Sequence, residues 1–142
     1  MEENEALVRR AWAAYDRGDE AEFGACLSPR WREYDAEGDS IALVDIVPGM
    51  KASRVAFPDK HTEIQQVVCE GNIVVTRTTT TATHTGRYYD IAPTGKRLRS
   101  HEISIHRIEG GLIAETFQET GTAGFYMQLT GRPAPSQTDN IG

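Results

Sequence analysis

The sequence predicts an α+β fold, a small cone in which three N-terminal helices pack on a curved, mainly antiparallel sheet. Three observations carry this. Helical spacing of apolar residues stops near residue 56 of the 142. Period-two stretches rich in Val, Ile and Thr then run from residue 62 to 120. Two glycine-marked turns, Gly71-Asn72 and Glu109-Gly110-Gly111, divide those stretches into hairpins. Helices first and strands second is the order of an α+β protein rather than of an alternating α/β one.

Residues 4–17 bring Leu7, Val8, Ala11, Trp12, Ala14 and Tyr15 together at helical spacing, and Gly18 is a plausible stop. Asp19 with Glu22 three residues on reads as a capping box for a second short helix, with Phe23 and Leu27 inward and Ser28-Pro29 ending it. Trp31–Asp35 reads as a short extended piece and residues 36–39 as a loop. Ser40 is the expected N-cap of a third helical segment reaching about Ala56. Pro48 and Gly49 should kink or split that segment, because proline lacks the backbone donor and clashes with the preceding turn. Residues 62–70 and 73–85 form the first hairpin, and residues 97–108 and 112–120 the second. Between them residues 91–95 form a loop carrying Pro93 and Gly95. Residues 124–129 suit a short closing helix. Residues 131–142 hold Pro133, Pro135 and small polar residues without apolar periodicity, so one domain over residues 1–130 with a flexible tail is expected.

Composition narrows the function. The chain has a net charge of −6 and no basic run, so nucleic-acid backbones and anionic membrane surfaces are disfavoured as partners. The acidic start Met1–Glu5 has no apolar leader, and no apolar run reaches membrane-spanning length. Cys26 and Cys69 stand alone in apolar surroundings and read as reduced thiols. No metal-ligand spacing, phosphate loop or nucleophile elbow is present. A cytoplasmic protein acting on a small molecule, without metal or cofactor, is the expectation.

Several words in the chain resemble the SnoaL-like polyketide cyclase family, on the cone fold shared with ketosteroid isomerase and nuclear transport factor 2. They are Leu7-Val8-Arg9-Arg10, Arg17-Gly18-Asp19, Phe57-Pro58-Asp59, Thr83-His84-Thr85-Gly86, Pro93-Thr94-Gly95-Lys96-Arg97, Ile103–Ile108 and Gly111–Glu115. The resemblance covers roughly residues 4–130. It implies a pocket on the concave sheet face. It also implies an aspartate general base four residues past an aromatic on the last strand. Here the aromatic is Phe117 and the fourth residue on is Gly121, so that base is absent. The assisting histidine of the family matches His106.

Strand parity places Ser100, Glu102, Ser104 and His106 on one face and His101, Ile103 and Ile105 on the other. A three-residue loop at 109–111 sets Ser104 opposite Thr116 and Glu102 opposite Gln118. A two-residue loop sets Ser104 opposite Phe117 and Glu102 opposite Glu119, which faces like charges. The ketosteroid-isomerase resemblance also puts the Ser104 position inside. Glu102, Ser104, His106, Thr116 and Gln118 are therefore taken as pocket-facing. Glu102 is the expected base and His106 the proton exchanger, about 13 Å apart along the strand and thus acting from opposite ends of a substrate. Asp35 is the reserve base. Trp12, Tyr15, Trp31, Tyr34 and Phe57 are candidate walls for an aromatic ligand, and Ser104, Thr116 and Gln118 would orient carbonyl oxygens. His61 is expected at the surface, His84 in a turn, and Tyr88-Tyr89-Asp90 near the pocket mouth.

The expected activity is acid–base catalysed cyclisation or isomerisation of a polyketide-like carbonyl compound. Epoxide opening or dehydration on the same scaffold, or binding without turnover, are the alternatives. Ile103, Ile105 and Phe117 on the convex face point to a homodimer.

Overall fold

The computed structural model describes residues 2–121 and 124–133. Helix α1 (Glu2–Asp16) and α2 (Glu20–Ala25) lead into strands β1 (Leu27–Tyr34) and β2 (Ser40–Ala42). Helix α3 (Leu43–Ala56) follows, then β3 (His61–Glu70), β4 (Ile73–Thr83), β5 (Arg97–Glu109), β6 (Leu112–Thr120) and α4 (Phe125–Thr130). The expected α+β architecture is found. The strands form one six-stranded sheet in the order β2-β1-β6-β5-β4-β3. All neighbours are antiparallel except β1 and β6, which run parallel.

Local chemistry sets the helix ends. Gly18 adopts φ +69° after α1, a left-handed conformation that glycine enters freely. The Asp19 carboxylate accepts from the Glu22 backbone N–H at 3.0 Å and caps α2. Apolar faces of α1, α2 and α3 then cover the concave side of the sheet, where Val8, Phe23, Trp31, Ile46, Met50 and Ile113 are buried in one cluster. A second cluster closes the other end around Phe57, Tyr88, Leu98, Phe125 and Tyr126.

Four local expectations are corrected. The second helix ends at Ala25, before Ser28-Pro29, because Leu27 already pairs with Ile113 in the sheet. Ser40 does not cap α3. It opens β2, where its hydroxyl accepts from Arg32 Nε at 2.7 Å, and the Asp45 carboxylate instead accepts from the Ala42 N–H at 2.9 Å. Pro48 does not split α3, which is continuous over Leu43–Ala56. The bond it forfeits is the one to the Val44 carbonyl, and Val44 is 75% exposed, so water can satisfy that group. The β5–β6 register is neither of the two anticipated. Ser104 lies opposite Gln118 and Glu102 opposite Thr120. The turn is the two-residue Gly110-Gly111, but Ala114 forms a bulge between the Ile108–Ile113 and Arg107–Glu115 pairs. The extra residue restores the parity of the three-residue loop, so the expected side chains still share one face.

Most of the tail falls outside the described residues, 134–142 among them. Cys26 and Cys69 are free. Among the described residues no helix is long and apolar enough to cross a membrane.

Candidate functional site

The helices and the concave sheet face enclose a cavity of about 80 Å³. Aromatic and aliphatic residues form its walls. Trp12, Tyr15, Phe23 and Trp31 stand in edge-to-face or tilted succession, with centroids 5.5–6.2 Å apart. The inward residues of the central strands supply the polar groups.

Two half-buried carboxyls and one buried amine form the charged part of this lining. Glu33 comes from β1, Glu102 from β5, and Lys60 from the link between α3 and β3. Burial pushes the Glu33 carboxyl up to about 8, and the nearby Glu102 charge adds to the rise. Burial pushes Glu102 up to about 7 against the pull of the Ser104 hydroxyl, which donates to Glu102 Oε2, and of Lys60. Desolvation thus favours the acid form of both groups near neutrality, with Glu102 the more readily ionised member. Tyr15 is pushed well above the usual phenol range by burial and by both glutamates.

His106 has different surroundings. Its Nε2 lies 3.2 Å from the Thr76 hydroxyl and its Nδ1 3.1 Å from the Thr116 hydroxyl, which also accepts from Trp31 Nε1 at 3.1 Å. Trp31 → Thr116 → His106 → Thr76 is a consistent donor chain that occupies both ring nitrogens. Burial drops the imidazole pKa to about 4, so the ring is neutral at physiological pH. Thr116→Val removes the link between Trp31 and His106 and leaves two buried nitrogens without that partner. It should cost about 1–3 kcal/mol by urea denaturation. A loss below about 0.5 kcal/mol would show the chain to be energetically idle.

The residues expected from sequence divide cleanly. Glu102, Ser104, His106, Thr116, Gln118, Trp12, Tyr15 and Trp31 all line the cavity. Asp35 does not: it sits in the β1–β2 turn, accepting from the backbone N–H groups of Glu37 and Asp39. Tyr34 points to the convex side and stacks on Phe117 at 4.9 Å, because it follows the inward Glu33 and strand neighbours alternate. Phe57 belongs to the second cluster, 4.9 Å from Tyr88 and from Phe125. Tyr88 is wholly buried there rather than at the mouth. His61 is exposed as expected, and His101 is exposed on the outer face. His84 is fully buried beside Phe57 and accepts at Nδ1 from the Thr94 N–H.

Sequence reasoning missed Glu33 and Lys60. The signal for Glu33 was available: with Trp31 inward, period two makes Glu33 inward, not Tyr34 or Asp35. Lys60 carried no comparable signal. Gly121 lies one residue past the end of β6, is exposed, and an added Cβ there meets nothing within 4 Å.

The family words lie mostly elsewhere. The Asp59 carboxylate accepts from the Thr83 N–H at 2.8 Å, from the Thr83 hydroxyl and from Arg97 Nη1. The Thr85 and Gly86 N–H groups both donate to the Ala56 carbonyl. Phe57-Pro58-Asp59, Thr83–Gly86 and Arg97 therefore form a clasp between the end of α3 and the sheet, outside the catalytic candidates.

Comparison with known proteins agrees with this architecture. The sequence model of SnoaL-like polyketide cyclases matches residues 5–129. AclR, a proposed hydroxylase from Streptomyces galilaeus, superimposes with a TM-score of 0.81 at 28% identity, over 96% of this chain and 87% of that one. IdmH, a proposed polyketide cyclase from Streptomyces antibioticus, has a TM-score of 0.71 at 20% identity, over 83% and 91%. TsrD from Streptomyces laurentii has 0.69 at 24%, over 84% and 88%. The latter two likenesses bear on the fold alone. No curated protein matches the sequence.

Proposed function

The chain belongs to the SnoaL-like polyketide cyclase family, and on that premise we propose that it is a cofactor-independent tailoring enzyme. It closes or isomerises a small, polyketide-like carbonyl compound by proton transfer. The observation that carries this reading is the pair of half-buried carboxyls, Glu33 and Glu102, both set into one largely aromatic cavity and both raised toward neutrality by desolvation. Two carboxyls held apart in pKa by their environments are suited to opposite roles.

Glu102, ionised and held by the Ser104 hydroxyl, takes the proton from carbon next to a carbonyl. Glu33, in its acid form, donates a hydrogen bond to the carbonyl oxygen as negative charge grows there. The enolate then attacks within the same molecule or is reprotonated at a new carbon. Trp12, Phe23 and Trp31 hold a flat substrate in the attack conformation, a contribution that needs no charged group. Gln118, Thr120 and Ser100 offer further polar contacts for substrate oxygens. His106, with both nitrogens engaged, positions Thr116 and Trp31 rather than moving protons.

The test is exchange of an acidic C–H for deuterium in D₂O, using a polycyclic aromatic β-dicarbonyl as probe. Catalysed exchange and product formation support the reading. Tight binding without exchange would make the chain a binder, and labelled water oxygen in a product would make it a hydrolase.

The chain is further taken to act as a homodimer through the convex face. Ile103 (48% exposed), Ile105 (42%) and Phe117 (43%) form an apolar patch there, extended by Tyr34 on Phe117. Light scattering at micromolar concentration should give twice the 15.7 kDa chain mass, and Ile105→Lys should halve it. A mass near 15.7 kDa for the unaltered chain would remove the dimer.

A further inference from the structure

Lys60 is not used by the proton transfers above. It lines the cavity, is 8% exposed, and follows the Pro58-Asp59 turn, which fixes its backbone. Its Nζ lies 3.4 Å from the Ser53 hydroxyl and 4.4 Å from the centre of the Tyr15 ring. Among the described residues it makes no ion pair, whereas the exposed Lys51 pairs with Glu20 at 3.4 Å. The closest charged neighbours are tied down elsewhere. Asp16 accepts from the Thr62 N–H and hydroxyl, and Glu102 accepts from Ser104. An amine in this position has given up water without gaining a contact counter-ion. Burial accordingly lowers its pKa to about 8, with Asp16 and Glu102 opposing the fall.

We propose that Lys60 is a nucleophilic amine that forms an imine with a ketone or aldehyde carbonyl of the cavity's substrate. The proposal rests on the carbonyl-substrate reading above and adds a covalent step to it. A neutral carbonyl suits the site better than an anion, because Glu102 beside the amine repels negative charge. The Nζ lone pair attacks the carbonyl carbon, and the oxygen takes the proton of the Glu33 acid. The nitrogen gives one proton to Glu102, leaving a carbinolamine. That hydroxyl departs as water with the proton returned from Glu102, and a C=N⁺ iminium remains. Glu102, again a carboxylate, then removes the adjacent C–H proton and leaves an enamine, the carbon nucleophile for ring closure. Addition of water reverses the first steps and frees Lys60. No oxidant or reductant is required. A lysine desolvated in an apolar wall is a recognised way of making an amine nucleophilic near neutrality.

The full chain is treated with pentane-2,4-dione near pH 8 and digested, and each lysine peptide is read by mass. Lys60 should gain the mass of the dione less one water at least about tenfold faster than Lys51 or Lys96, both of which are exposed. Lys60→Arg keeps the charge but forms no imine, so it should lose that adduct and most turnover. Lys60 reacting no faster than the surface lysines, or full turnover by Lys60→Arg, overturns the proposal. Glu102→Gln separates the two readings. It should abolish C–H exchange while Lys60 still accumulates its adduct, more slowly because water or buffer must carry the protons that Glu102 carried, so loss of exchange with a retained Lys60 adduct tells the base assignment from the amine step.

Discussion

Glu102→Gln lowers turnover by about 10²–10⁴-fold, the usual worth of a positioned proton-transfer group. Ligand affinity stays within about tenfold, since the amide keeps the shape and can still accept from Ser104. The pH profile supplies a second signature. The rate should rise with pH as Glu102 ionises through about 7 and fall as Glu33 loses its proton through about 8. In the variant the rising limb disappears. Stability moves the opposite way. A carboxyl whose pKa is raised on folding binds its proton more tightly in the folded state. Its contribution is therefore complete below the unfolded carboxylate value and is lost as pH climbs through 7 and 8. Glu102→Gln should thus melt no lower than the wild type at pH 8, which keeps a loss of rate from being a loss of fold. Near-wild-type turnover at every pH would end the case for Glu102 as base and shift attention to Glu33.

Gly86→Ala destabilises the protein by more than about 3 kcal/mol, a melting-temperature loss on the order of 10 °C. An added Cβ would stand 2.1 Å from the Val55 carbonyl oxygen and 3.2 Å from Ala56 Cα. Both contacts are with the backbone of α3, so no side-chain rotation relieves them. Moving the loop away would break the two hydrogen bonds that Thr85 and Gly86 donate to the Ala56 carbonyl, and with them the seat of the wholly buried His84. The cavity lies elsewhere, so at low temperature the folded fraction should keep its substrate affinity. A melting shift under about 3 °C would mean that the approach of α3 to this loop is looser than the structure has it.

Much of the fold was legible because its signals are local. Apolar spacing in α1, the Asp19 cap and the turns at Gly71 and Gly110-Gly111 each depend on residues a few positions apart. Period two separated the two faces of β5, and the like-charge argument with the ketosteroid-isomerase resemblance chose which of them is inward. Where nearby residues made conflicting offers, sequence reading chose wrongly. Ser40 looked like a cap, but Arg32, eight positions back, draws it into a strand. Pro48 looked like a break, but its cost at an exposed position is small enough for packing to override.

The sequence by itself determined the order of helices and strands, and the residues whose spacing makes one sheet face polar within an otherwise apolar cavity. Only the tertiary structure decided which acids and bases meet. Glu33 and Glu102 lie on strands separated by β6, and Lys60 arrives from a linker beyond α3, so their meeting in one cavity is a property of the curved sheet and the helices on it. Their protonation is likewise collective. Burial raises both carboxyls and the Glu102 charge raises Glu33 further, burial lowers Lys60 and keeps His106 neutral, and the Thr76 and Thr116 hydroxyls engage both nitrogens of that ring. Residue type and spacing carry no measure of desolvation, and desolvation is what distinguishes a catalytic carboxyl from an ordinary one.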